Sequence, residues 1–296
     1  MTTTARFGAV GCAMVTPFDS SGAVDLDGAV TLAKWLCEHG NDFLVVAGTT
    51  GESPVLSDAE KADLWRAVAG AVSAPVVAGT STADTAHSVE LTRAAVAAGV
   101  AGILAVTPYY NRPSQAGIEA HMRAVADAAQ GLPVVLYDIP VRTGRKVASD
   151  VILRLSADGV IIGVKDATAN PAGTAALLAE APAGFEVYSG NDGDTLPLLA
   201  VGAVGTISVE SHWAGEEVAE MLAAFAKGDL EHARQVNARL MPSHRFQSSD
   251  EAPNPVPAKA MLRTLGLPAG QCRLPLGPAP RGLEDTAREV FSHLRG

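Results

Sequence analysis

The chain has 296 residues, of which 48% are hydrophobic and 18% are charged, and its mean hydropathy is +0.18. This composition excludes a disordered segment and supplies enough apolar residues for a large buried core. Asp and Glu outnumber Lys and Arg by 32 to 22, and the resulting net charge of −10 disfavours nucleic acid or an anionic membrane as a partner. An anionic substrate therefore requires locally placed cations.

The N-terminal residues, the longest uncharged stretch and the cysteines indicate the cellular compartment of the protein. Residues 1–10 contain one Arg and no apolar run that ends in a small-residue cleavage site, so no secretory signal is predicted. The uncharged stretch at 94–111 is interrupted by glycines and a proline, which argues against a membrane span. Cys12, Cys37 and Cys272 are odd in number and widely spaced, as expected for reduced thiols. We expect a cytoplasmic protein with no membrane partner.

Short apolar runs alternate with helical stretches along the chain, a pattern typical of parallel strands joined by crossover helices. The predicted strands are residues 9–15, 43–47, 76–78, 103–106, 134–137, 161–164, 185–188 and 206–209. The clearest intervening helices are residues 27–39, 57–71, 82–98 and 114–129. These units predict an α/β fold, a closed (β/α)8 TIM barrel. A doubly wound open sheet is the alternative, although no G-x-G-x-x-G motif follows the first strand.

The pattern changes after the last predicted strand. Helical stretches follow without an intervening strand at residues 213–226, 230–240, 257–265 and 283–294. We therefore divide the chain into a barrel at residues 1–224 and a C-terminal helical appendage at residues 225–296. The stretch from 242 to 257 is rich in Pro, Ser and acidic residues and is predicted to be an exposed loop.

Lys165 is the first candidate catalytic residue, because the sixth predicted strand runs directly into it. Active sites of βα barrels lie at the carboxyl ends of the strands, where burial can lower the pKa of an amine and make it nucleophilic. Pairing of Lys165 with an acid such as Asp166 is the alternative. The remaining lysines lie in helices or polar loops and are expected to be solvated: Lys34, Lys61, Lys146, Lys227 and Lys259.

Other strand ends carry side chains that would face the same cavity. Tyr137 ends the fifth strand and could relay protons to an adduct on Lys165, unless it only packs there. Thr49 and Thr50 follow the second strand in a glycine-flanked turn that suits a small carboxylate, or that is an ordinary turn. Arg142 could bind a second carboxylate or remain a solvated loop charge.

Other chemistries find little support in the sequence. The seven histidines form no zinc-binding pattern, and neither a Walker A motif nor a G-x-S-x-G elbow occurs. The turn at residues 189–193 lies where some barrels bind phosphate, but it lacks a nearby cation and is interpreted as a structural loop.

Five motifs, in this order, give the chain a resemblance to a known family. They are GTTGES at 48–53, TPYYNRP at 107–113, YDIPVRTG at 137–144, IGVKD at 162–166 and PNPVPAK at 253–259. The sequence resembles the dihydrodipicolinate synthase (4-hydroxy-tetrahydrodipicolinate synthase) branch of the class I, Schiff-base pyruvate aldolases. The resemblance implies a carbon–carbon lyase that condenses pyruvate with L-aspartate 4-semialdehyde through an imine on Lys165, in lysine and diaminopimelate biosynthesis.

The resemblance also implies roles for individual residues. Tyr137, Thr49 and Tyr110 match a proton relay in which Tyr110 comes from a neighbouring subunit, Thr50 and Ile207 match contacts to pyruvate, and Arg142 matches the contact to the semialdehyde carboxylate. The family implies no metal or organic cofactor and a homotetramer built from tight dimers.

Two rival functions remain at this point. The first is a related Schiff-base pyruvate lyase or dehydratase, such as an N-acetylneuraminate lyase-like enzyme or a keto-sugar-acid aldolase; the second is a non-catalytic barrel. Arg142 favours the synthase, whereas Asn191 and the segment at 210–213 are atypical of the family.

Regulation is expected to differ from that of lysine-inhibited relatives. Where those carry an Asn and a Glu on the helix after strand three, this chain has Ala83 and His87, and at two His positions after strand two it has Asp58 and Lys61. The resemblance therefore predicts weak or absent inhibition by lysine.

Overall fold

The computed structural model describes residues 5–296; the first four residues, part of the stretch without a predicted secretory signal, lie outside this range. Eight parallel strands close into a barrel in chain order. They are β1 (Val10–Ala13), β2 (Phe43–Val46), β3 (Val76–Gly79), β4 (Gly102–Val106), β5 (Val134–Asp138), β6 (Gly163–Asp166), β7 (Glu186–Ser189) and β8 (Gly205–Ser208). The predicted (β/α)8 barrel is confirmed, and the open-sheet alternative is wrong because Gly11 of β1 pairs with Ile207 of β8.

The helices pack around the barrel and continue beyond it. Those between strands are α1 (Leu26–Glu38), α2 (Asp58–Ala69), α3 (Thr85–Ala97), α4 (Gln115–Ala128), α5 (Pro140–Thr143), α6 (Ser149–Ala157), α7 (Pro171–Glu180) and α8 (Thr195–Ala200). After β8 follow α9 (Ser211–Ala226), α10 (Leu230–Phe246), α11 (Val256–Thr264) and α12 (Leu283–Arg295). No helix within residues 5–296 is both long and apolar enough to cross a membrane.

The core has two layers, because successive side chains of each strand point to opposite faces. Phe43, Val77, Tyr188 and Ile207 fill the interior of the barrel, while alternate strand residues pack against the helices. Close packing at the mouth requires Gly79, since a Cβ atom there would lie 2.6 Å from the carbonyl oxygen of Ala47. This contact joins the end of β3 to the start of the turn after β2.

The structure corrects the end of α10 and the loop after it. The sequence predicted that the helix ends at residue 240 and that an exposed loop begins at Pro242, but α10 continues to Phe246 with Pro242 inside it. The stability gained from tertiary packing outweighs the loss of the backbone hydrogen bond that a proline cannot donate. The indole N–H of Trp213 on α9 donates to Ser243 Oγ at 3.0 Å, and the Phe246 ring packs edge-on against Trp213. Within the remaining loop, Ala252 is also buried.

Candidate active site

A cavity of about 340 Å³ opens at the carboxyl ends of the strands. Among its lining residues are Thr49 after β2, Tyr110 after β4, Tyr137 on β5 and Arg142 on α5. Thr49 and Arg142 are 93 positions apart in the sequence. The parallel arrangement of the strands brings all four side chains to the same end of the barrel. Four of the predicted site residues thus line one cavity.

Lys165 and Tyr137 lie side by side at the barrel mouth. They are register partners on β6 and β5, and Lys165 Nζ lies 4.4 Å from the centre of the Tyr137 ring. Each residue exposes only 5% of its surface. The Tyr137 ring lines the cavity and Lys165 lies against it, so the amine is close to the cavity and largely shielded from bulk water.

Burial lowers the pKa of the Lys165 amine to about 8, and the nearby Arg142 guanidinium acts in the same direction. Asp192 and Cys12 act in the opposite direction and limit the shift. The alternative of a lysine paired with Asp166 is wrong, since the Asp166 carboxylate accepts hydrogen bonds from the Thr168 N–H and the Thr174 hydroxyl instead. An amine with this pKa is available as a nucleophile near neutral pH.

The Tyr137 phenol stays protonated near neutral pH. Burial raises the pKa of its phenol above the ordinary value, while Arg142 and the Thr49 side chain oppose that rise. A protonated phenol beside an amine can donate a proton to a leaving hydroxyl and recover it later. Tyr137 and Thr49 line the same cavity.

Two of the predicted site residues are exposed at the rim of the cavity. Tyr110 exposes 93% of its surface and has a φ of +70°, an unusual conformation for a bulky side chain. Arg142 is also exposed, on the short helix α5. Its guanidinium places a positive charge at the rim of a cavity in an otherwise acidic chain.

Lys165, Thr50 and Ile207 are not among the residues that line the cavity, contrary to the expectation that all the strand-end residues face it. Thr50 is buried, and its hydroxyl oxygen accepts a hydrogen bond from Asn254 Nδ2 at 3.0 Å. Ile207 is 1% exposed and packs in the inner core of the barrel next to Tyr137 and Tyr188. Both residues lie behind the cavity wall in this structure.

Comparison with known proteins places this geometry in a family. The sequence profile of the dihydrodipicolinate synthetase family matches residues 6–294. The chain belongs to the dihydrodipicolinate synthetase family. It is 50% identical over 278 residues to the 4-hydroxy-tetrahydrodipicolinate synthase of Moorella thermoacetica, covering 93% of this chain and 94% of that protein.

Solved structures of the family agree with the fold throughout. A dihydrodipicolinate synthase from Bacillus anthracis superposes with a TM-score of 0.93 at 39% identity and covers 97% of this chain and 98% of that one. The enzyme from Cyanidioschyzon merolae with lysine bound also has a TM-score of 0.93 at 39% identity, with 98% of each chain covered. The family resemblance inferred from the motifs is confirmed, and it includes the helices after β8.

Two lysines differ from the expectation that they are solvated. Lys259 exposes none of its surface and Lys61 only 4%. Lys259 forms an ion pair with Glu52, with Nζ and Oε1 2.6 Å apart. Sequence reasoning assigned no role to Glu52, Asn254 or Lys259. The available signal was that all three are polar residues within the GTTGES and PNPVPAK motifs.

The turn after β7 has a structural role within the family fold, as interpreted from the sequence. The Asp192 carboxylate accepts hydrogen bonds from the N–H groups of Val209 and Glu210 at 2.9 and 3.1 Å, which ties the turn to the end of β8. Asn191 donates to Asp194. In residues 5–296 no group of three or more His, Cys, Asp or Glu side chains is arranged to hold a metal ion.

Proposed function

We propose that this protein is a 4-hydroxy-tetrahydrodipicolinate synthase, which condenses pyruvate with L-aspartate 4-semialdehyde in lysine and diaminopimelate biosynthesis. The observation that carries the proposal is the buried Lys165 amine, with a pKa of about 8, placed 4.4 Å from the centre of the Tyr137 ring. The sequence relatives that bear this name, at identities up to 50%, support it.

The first half of the reaction activates pyruvate. The neutral Lys165 amine attacks the C2 carbonyl carbon, and the resulting carbinolamine loses its hydroxyl as water to give an imine. Tyr137, assisted by Thr49, donates the proton that the hydroxyl takes as it leaves. The protonated imine withdraws electrons from C3, so that loss of a C3 proton gives an enamine. Because this imine is the electron sink, the reaction requires no metal or organic cofactor.

The second half forms the carbon–carbon bond. The enamine C3 attacks the aldehyde carbon of the semialdehyde, and the proton relay neutralises the new alkoxide. The amine of the semialdehyde then attacks the imine carbon and displaces Lys165, which closes the ring and restores the enzyme. Arg142 at the cavity rim holds the semialdehyde carboxylate with its planar guanidinium. The pyruvate end of the site lies behind the cavity wall, where Lys165, Thr50 and Ile207 are buried.

The second substrate is tested directly. Purified protein is incubated with pyruvate and either L-aspartate 4-semialdehyde or N-acetylmannosamine, and the products are identified by mass spectrometry. The proposal predicts product with the semialdehyde only. Product with the sugar only would assign the protein to the lyases that act on sialic acid or keto-sugar acids. If neither the semialdehyde nor N-acetylmannosamine gives a product, the synthase assignment is wrong.

We also propose that the enzyme works in the cytoplasm as a homotetramer of tight dimers, with Tyr110 completing the proton relay of a neighbouring subunit. The exposed Tyr110 ring supports this proposal, together with Val141, which exposes 86% of its surface beside the cavity-lining Arg142. Exposed apolar side chains around an opening are typical of a surface that another chain covers.

Mixing inactive subunits tests the shared site. A Tyr110→Phe protein and a Lys165→Ala protein are unfolded together, refolded and assayed against each variant alone. If Tyr110 acts on the neighbouring site, mixed dimers contain one complete site, and roughly a quarter of wild-type activity returns with random pairing. Recovery no greater than the sum of the two variants would contradict the proposal. Analytical ultracentrifugation of the wild type measures the assembly itself.

A further inference from the structure

The turn that carries Thr49 and Thr50 is attached to the C-terminal helices at two points. Asn254, which precedes α11, donates from Nδ2 to Thr50 Oγ1 at 3.0 Å. Lys259 on α11 forms an ion pair with Glu52, with 2.6 Å between Nζ and Oε1 and no solvent exposure of either side chain. Residues about 200 positions apart therefore hold this turn in place.

The backbone connects Glu52 to the proposed relay residue. Glu52 has a φ of +57°, a conformation that L residues adopt only where their surroundings hold them. Its N–H donates to the Thr49 carbonyl oxygen at 3.0 Å. A displacement of the Glu52 side chain would therefore move Thr49.

The ion pair belongs to a larger network that leaves it little freedom. The second Glu52 oxygen accepts a hydrogen bond from the Arg273 N–H at 2.9 Å, and Lys259 Nζ donates to the Gln271 carbonyl oxygen at 3.2 Å. Lys259 Nζ also lies 3.9 Å from the centre of the Phe18 ring. Buried ion pairs add little stability compared with apolar packing, whereas they impose a definite geometry.

We propose that Glu52 and Lys259 are positioning residues, which hold the Thr49–Thr50 turn where proton transfer and pyruvate binding need it. Helix α11 thereby becomes part of the catalytic apparatus without contacting substrate. This inference rests on the proposed function, because it assigns the turn a role in turnover of a Lys165 imine.

The test compares E52Q, K259M and the double variant E52Q/K259M with the wild type. Each single variant leaves one buried charge without its counter-ion and is expected to lower Tm by about 6 to 20 °C. The double variant removes both charges, so it regains more than half of that loss. Its kcat at 25 °C stays about 10- to 100-fold below wild type, because the ion pair no longer holds the Glu52 end of the turn. Borohydride still traps a pyruvate imine on Lys165 in every variant, since the ion pair and hydrogen bonds of Glu52 and Lys259 do not involve Lys165.

A control variant separates positioning from general loosening. E217Q weakens the ion pair between Glu217 on α9 and Arg295 on α12, with 2.7 Å between Oε1 and Nη1. Neither residue has a hydrogen bond to the turn, so the variant is expected to lower Tm with kcat within twofold of wild type. Wild-type kcat in the double variant would overturn the proposal. A loss of kcat in E217Q equal to that in the double variant would also overturn it. Absence of a trapped imine in the wild type would instead refute the proposed function, and the positioning role with it.

Discussion

Tyr137 and Lys165 are register partners on neighbouring strands, and the Lys165 Nζ atom lies 4.4 Å from the centre of the Tyr137 ring. Hydrogen bonds of the barrel hold both backbones, so their spacing does not depend on loop closure. The ring covers the amine and contributes to the burial that lowers its pKa. One pair of adjacent strands thus supplies both the nucleophile and the proton donor.

The rate of imine formation should follow the titration of Lys165. With a pKa of about 8, about one amine in ten is neutral at pH 7, compared with about one in 2500 for an unperturbed lysine. The neutral form attacks pyruvate, so the rate should rise about tenfold per pH unit below 7 and level off above about 8.5. Rapid mixing with pyruvate and quenching with borohydride measures this rate. A continued rise to pH 10 would show that the pKa is not lowered.

Tyr137→Phe should separate adduct formation from turnover. The variant keeps the ring that covers Lys165 but loses the hydroxyl that donates and accepts protons. We expect kcat to fall by about 10² to 10⁴ while a pyruvate imine on Lys165 can still be trapped. Steady-state kinetics and borohydride trapping on the same preparation provide both values. Unchanged kcat would show that another group relays the protons.

Arg142→Ala should weaken binding of the semialdehyde selectively. Loss of a charged hydrogen-bonding group is expected to raise KM for L-aspartate 4-semialdehyde about 10- to 100-fold and to change KM for pyruvate little. Arg66→Ala is the matched control, because Arg66 pairs with Asp63 on α2 and does not line the cavity. Equal increases for both substrates in Arg142→Ala would argue against a specific role.

Millimolar L-lysine should leave the activity nearly unchanged. His87 Nε2 on α3 lies 2.9 Å from the Asp58 carboxylate on α2, and Ala83 offers no side-chain amide. The family resemblance implies an Asn and a Glu at positions 83 and 87 in lysine-inhibited members. Initial rates at ordinary pyruvate concentrations with and without lysine test this expectation. The double variant Ala83→Asn, His87→Glu is the comparison for restored sensitivity. Clear inhibition of the wild type would contradict the prediction.

The parts of the fold that rest on local pattern could be predicted from the sequence. Fully buried parallel strands are continuous apolar runs, so all eight strands were found, and Lys165 stood out because it is polar at the end of such a run. The helix predicted at residues 57–71 is α2, and Ser57 and Glu60 form a capping box at its start. The division of the chain at residues 224 and 225 stays a prediction.

The predictions that were wrong concern features that depend on tertiary contacts. Lys259 looks like a solvated helix residue, and its pairing with Glu52 is set by how α11 packs against the turn after β2. Pro242 looks like a helix end, but packing of Ser243 and Phe246 against Trp213 outweighs it. The direction in which Thr50 points depends in the same way on Asn254.

Trapping of the imine tests the central claim most directly. The protein is incubated with pyruvate and borohydride, digested, and its peptides are examined by mass spectrometry beside those of the Lys165→Ala variant. The account predicts a reduced pyruvate adduct on Lys165 and none in the variant. An unmodified Lys165, under conditions that label another member of the family, would contradict the Schiff-base mechanism.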